Sequence, residues 1–170
     1  MTEAGQLRQW LFLVYRIPAE PSRMRTYAWR QVKALGALYL QQAGWLLPRT
    51  ERFERALQDL VAKIEDFGGE ASLLNTMSPD QAWEEKTIKG FNQARDEEYA
   101  EIVESEERFE DEIRRETRKE KFTFAELEEA EAEWGRLKRW YERVRERDFF
   151  DDPGRQEADA RLEACESLLN

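Results

Sequence analysis

The chain alternates between short apolar runs and longer stretches in which apolar residues recur every third or fourth position. Trp10 to Arg16 (WLFLVYR) is dense in aromatic and branched side chains, the pattern of a strand buried on both faces, and Ile17-Pro18 ends it. Ser22 is placed to cap a helix running to Leu35, with Gly36 as its stop. Met24, Ala28, Gln31, Val32 and Leu35 share one face of that helix, which should rest on a sheet. Ala37 to Gln41 and Gly44 to Pro48 are apolar and too short for helices, so they read as two strands joined tightly at Gln42-Ala43. Thr50 caps a second helix in which Phe53, Leu57, Leu60, Val61 and Ile64 recur at helical spacing until Phe67, and Gly68-Gly69 closes it. Ala71 to Leu74 is the last strand. The order is βαββαβ, in which two helices cover one face of a four-stranded antiparallel sheet, a ferredoxin-like plan.

After Ser78-Pro79 the pattern changes to long runs of strong helix formers. Thr123 followed by Glu126 is a capping box, which marks a helix restart after a turn around Lys121-Phe122. Leu127, Ala130, Trp134, Leu137, Tyr141 and Val144 alternate by three and four, a coiled-coil seam. Folding back about the turn sets Tyr99, Ile102, Phe109 and Ile113 opposite, with Phe109 near Trp134 and Tyr99 near Val144. The same fold-back sets each acidic block (Asp96 to Glu112, Glu126 to Glu133) beside a basic one (Arg136 to Arg147, Arg114 to Lys121). Asp151-Asp152-Pro153-Gly154 breaks the chain, and Ala158, Leu162, Cys165 and Leu169 stripe a final short helix. The pattern therefore predicts an α+β chain: residues 8–77 form the ferredoxin-like module and residues 80–170 an antiparallel helical hairpin with a C-terminal helix.

Composition narrows the chemistry. The chain has no His and one Cys, so the usual zinc ligand sets, Ser-His and Cys-His nucleophile pairs and an internal disulfide are all excluded. No run is long and apolar enough to span a membrane, and the opening MTEAGQLRQW lacks the design of a signal peptide. These features predict a cytoplasmic protein that is not an enzyme and carries neither metal nor cofactor.

The net charge of −10 hides a division. Residues 1–77 hold ten Lys/Arg against eight Asp/Glu, whereas residues 78–170 hold seventeen against twenty-nine. Arg8, Arg16, Arg23, Arg25, Arg30 and Lys33 fall within 26 residues that contain one acid, Glu20. On the first helix Arg23, Thr26, Arg30 and Lys33 lie at i, i+3, i+7 and i+10, an outward basic ridge. Such a ridge meets DNA phosphates by counterion release, so Arg16, Arg23, Arg25, Arg30 and Lys33 are the candidate DNA contacts. A plain solvated face, or docking onto an acidic hairpin of the same chain or of a partner, accounts for the same pattern. The runs Arg95 to Glu98 and Glu104 to Glu112 read as a charge-paired solvated face, and the tryptophans Trp10, Trp29, Trp45 and Trp83 as core. Cys165 falls on an apolar stripe and reads as buried and inert.

WLFLVYRIPAEPSRMRTYAWRQVKALGALYLQQAGWLLP from Trp10 to Pro48, ARDEEYAEI from Ala94 to Ile102, and EKFTFAELEE with ERVRERDFF between Glu120 and Phe150 resemble the N-terminal domain of the chromate-resistance regulator family ChrB. The resemblance implies a bacterial transcriptional regulator of a chromate-resistance operon, with promoter DNA as partner. Full-length members carry a further C-terminal domain tied to chromate sensing. The first module is also similar to the ferredoxin-like units of CRISPR adaptation nucleases and of phenylacetate-pathway repressors, which share a strand, the pattern VY-x-IP and an Arg-rich helix. Where the nucleases have a metal-holding Asp, this chain has Arg16, and a guanidinium cannot ligate a cation. Three readings follow: a DNA-contacting regulator, with homodimerisation through sheet edges or faces; a protein-interaction adaptor acting through the acidic hairpin; and an oxyanion-binding module using the Arg cluster.

Overall fold

In a computed structural model, which describes residues 5–118 and 123–169, the chain divides into two compact units, Met1–Gly90 and Phe91–Asn170. The first unit holds strand β1 (Gln9–Arg16), helix α1 (Ser22–Leu35), strands β2 (Leu38–Leu40) and β3 (Gly44–Pro48), helix α2 (Glu51–Asp66) and strand β4 (Glu70–Met77). The sheet order is β2-β3-β1-β4 with every pairing antiparallel, the ferredoxin-like arrangement expected from the sequence.

Leu11 and Leu13 of β1 and Leu47 of β3 share one sheet face and are sealed from water. Ala28 and Val32 of α1 and Phe53, Leu57, Leu60 and Ile64 of α2 supply the rest of the buried layer. On the opposite face Trp10 packs T-shaped against Trp83 with ring centres 6.1 Å apart, and its indole N–H donates to Ser78 Oγ at 2.8 Å. Only the first half of β1 is buried on both faces, because Val14 is 37% exposed and Arg16 is open to solvent.

The helix ends follow local chemistry. Thr50 caps α2 by accepting the Phe53 N–H at 3.1 Å. Gly36 ends α1 in a left-handed conformation (φ 82°), and the Ala37 N–H reaches back to Val32 O at 3.1 Å. Ser22 does not cap α1. The cap position is Pro21 and Ser22 is already helical, its carbonyl accepting the Thr26 hydroxyl at 3.4 Å. Gln31, expected on the buried stripe, is exposed. Strand β2 is shorter than expected and its turn is centred on Gln41 and Gln42, both with positive φ. Strand β4 runs three residues beyond Leu74, because its backbone pairs with β1 along all eight positions, although Asn75, Thr76 and Met77 bury no side chain.

The second unit is built from helix α3 (Gln81–Arg118), which begins in the first unit, helix α4 (Phe124–Arg145) and helix α5 (Gly154–Leu169). The expected capping box is present: the Thr123 hydroxyl accepts from Glu126 N–H, and the Glu126 carboxylate accepts from Thr123 N–H at 2.7 Å. Phe109 stacks on Trp134 with ring centres 5.9 Å apart, and Tyr99 shares a buried cluster with Ile102, Tyr141, Val144 and Ala158. Cys165 is fully buried beside Phe109, Ile113 and Trp134. The expected turn around Lys121-Phe122 and the Leu169 side chain lie outside the described residues. No helix among the described residues is long and apolar enough to cross a membrane.

Candidate nucleic-acid interface

α1 carries the cations. Arg23, Arg25, Arg30 and Lys33 are all exposed, and among the described residues none of them forms an ion pair. Their helix has no acid in its first turn and no side-chain cap, so its positive end adds to the field of Arg23 and Arg25. Arg16 differs from the others. It lies at the end of β1 and pairs with Glu70 at 3.0 Å, a solvent-exposed contact that compensates its charge.

Trp29 is not core: it is 51% exposed on α1, and Lys33 Nζ sits 5.9 Å from its ring centre. Tyr27 is 39% exposed on another side of the helix, T-shaped against Phe67 at the end of α2 with ring centres 5.8 Å apart. Between α1 and α2 lies a groove of about 790 Å³ whose walls include Arg23, Tyr27, Arg30, Lys63 and Phe67. The sequence pattern does not point to Lys63 and Phe67, since only the packing of α2 beside α1 brings them to the Arg side chains.

The acidic runs of the second unit are not a uniform solvated face. Arg95 is 6% exposed, with Nε 2.8 Å from Glu98 Oε2, and Glu98 also takes Arg147 at 2.8 Å. Burial pulls the Arg95 guanidinium below its ordinary range. The Asp148 carboxylate is enclosed beneath them, accepts from Tyr99 Oη at 3.2 Å and pairs with Arg155 at 3.4 Å.

Glu106 is fully buried and neither of its carboxylate oxygens has a hydrogen-bond partner. Burial pushes its carboxyl up to about 8; Arg161 opposes that shift and Asp159 adds to it. Burial likewise pushes the Cys165 thiol up to about 11, so it stays protonated. The spacing held a signal for both charged residues, because positions 91, 95, 99, 102, 106, 109 and 113 form one continuous stripe on α3.

Part of the basic block expected to face Glu126 to Glu133 at the hairpin tip, Lys119 to Lys121, lies outside the described residues. Glu112 and Glu116 of α3 line one groove with Glu126, Glu129, Glu133 and Arg136 of α4, and Arg136 pairs with Glu133. Helical phase decides which side chains face each other, and it turns Arg114 back toward Glu110 of its own helix. The cross-helix pairs include Arg161 of α5 with Glu107 and Glu110. Among the described residues, no group of three or more His, Cys, Asp and Glu side chains could hold a metal ion.

The fold and its exposed cations define the class: an α+β protein in which a ferredoxin-like unit presents an exposed basic helix and continues into an acidic helical unit. The family described as "Protein ChrB, N-terminal" matches residues 25–170, and the chain belongs to that family. Protein ChrB of Cupriavidus metallidurans is 34% identical over 92 residues, which is 54% of this chain and 28% of that relative. The chain thus aligns with well under a third of the relative's length. No solved structure matches the chain.

Proposed function

We propose that this chain is a DNA-contacting domain of a chromate-resistance regulator and performs no catalysis. Family membership supports the regulator at the family level. The observation that carries DNA contact is the set of four exposed cations on α1, Arg23, Arg25, Arg30 and Lys33, without carboxylate partners among the described residues, in a chain of net charge −10. Arg16 contributes less, because Glu70 already compensates it.

The test is binding of the 170-residue chain to a labelled chromate-resistance promoter fragment and to a scrambled duplex at two salt concentrations. Removing one phosphate-neutralising cation lowers the slope of log affinity against log salt by about 0.9. The combined variant Arg23→Ala, Arg30→Ala, Lys33→Ala should therefore lower the slope by about 2.7. Equal slopes for variant and wild type would overturn the assignment of the ridge.

A second reading rests on the groove at the hairpin tip, where five glutamates outnumber one cation, Arg136. It fits an adaptor that docks a basic partner through α3 and α4. Under that reading the triple variant would leave complex formation intact. The oxyanion reading, which uses the same Arg cluster, is separated by its readout: chromate or sulfate would raise the melting temperature of the chain in the absence of DNA.

A further inference from the structure

The α1–α2 groove has a chemistry that a plain ridge does not require. Arg23 and Arg30 enter from one helix and Lys63 from the other, and no residue lining the groove is acidic. Among the described residues none of these three cations forms an ion pair. Cations converging on a concave surface repel one another, and an anion in the groove relieves that repulsion. The groove also has a fixed aromatic wall. The Tyr27 and Phe67 rings meet T-shaped at 82°, Lys63 Nζ lies 5.8 Å from the Phe67 ring centre, and Tyr27 remains 39% exposed.

Cations that follow a backbone, next to an open ring on which a base stacks, are the chemistry of single-stranded nucleic-acid binding. A duplex fits this groove poorly: its bases are stacked on one another and do not reach Tyr27. A small inorganic anion uses the cations and leaves the ring idle.

We propose that the α1–α2 groove binds a single DNA strand, with phosphates against Arg23, Arg30 and Lys63 and an unstacked base on Tyr27. The proposal rests on the DNA-contact reading and extends it, since it recruits α2 and distinguishes strand from duplex.

The test measures fluorescence anisotropy of a labelled twelve-nucleotide strand, its abasic counterpart and the matching duplex, with the full chain and three variants. Lys63→Ala and Tyr27→Leu should each weaken binding of the strand by about tenfold, given the usual worth of a stacked base and a phosphate contact. Arg55→Ala, an exposed arginine of α2 that pairs with Glu51 at 3.0 Å and does not line the groove, should change it less than twofold. The abasic strand should bind the wild type about as weakly as the normal strand binds Tyr27→Leu. Unchanged strand binding by both groove variants would overturn the groove while leaving promoter binding by the ridge intact. Absence of binding to strand and duplex alike would overturn both readings. A mononucleotide that displaces the strand at equal concentration would overturn the strand in favour of a small nucleotide.

Discussion

Glu106 occupies a position that its neighbours Ile102 and Phe109 mark as apolar. A carboxylate there has given up its water and gained no hydrogen bond, so the folded chain holds it protonated well above its ordinary range. Between a pH of about 4.5, where it titrates when unfolded, and about 8, where it titrates when folded, the folded state binds the extra proton. Stability from this group is thus complete at low pH and falls as pH rises through 8, by about 3 kcal/mol at pH 7. Glu106→Gln removes the ionisation at nearly constant shape. Urea unfolding at pH 5, 7 and 8.5 should show the decline in the wild type and a much flatter profile in the variant; parallel profiles would refute it. Arg95 is the opposite case, a buried cation whose partner is present. Arg95→Ala leaves Glu98 to Arg147 alone, and the same unfolding measurement should register a loss of about 2 to 3 kcal/mol, below the full cost of an orphaned buried charge because Glu98 retains a partner. In the sequence both residues read as solvated, because the runs around them are strongly charged. The three-and-four spacing of α3 is present there too, but local charge density outweighs it.

At the scale of elements, local signals decide most outcomes. Gly36, Thr50 and the Thr123–Glu126 pair act through their own backbone and the next turn, so spacing alone is enough to place the helix ends they govern. Thr123→Ala removes the hydroxyl that accepts Glu126 N–H and should cost about 1 kcal/mol, whereas Thr123→Ser should retain most of it. Far-UV circular dichroism during urea titration checks this; equal midpoints for Ala and Ser would show that the box contributes nothing to α4. Elements whose limits depend on a distant strand are less legible. β4 continues through Asn75, Thr76 and Met77 because β1 offers backbone partners, and nothing apolar in those side chains announces it. The basic ridge is legible as helical periodicity, but the groove is not, since Lys63 and Phe67 belong to it only through the packing of α2 beside α1.

At the scale of the whole molecule, buried charge is unevenly divided. The buried polar residues described in the first unit are Ser78 and Thr87, while Arg95, Glu106 and Asp152 are all in the second. A core whose fully buried polar groups are hydroxyls changes little in stability between pH 6 and 8.5, whereas a core holding an unpartnered carboxyl weakens over that interval. Amide hydrogen exchange at the two pH values, corrected for the intrinsic rate, should therefore show protection falling along α3 between residues 99 and 113 and in α5. Protection in β1 and β3 should hold, and Glu106→Gln should abolish the difference. The exposed cations of α1 belong to the first unit, so the proposed promoter binding should survive at pH 8.5 even as the helical unit loosens. If β1 and β3 lose protection in step with α3, the chain unfolds as one cooperative body, and the weakening of the helical unit would carry the proposed DNA-contacting surface with it.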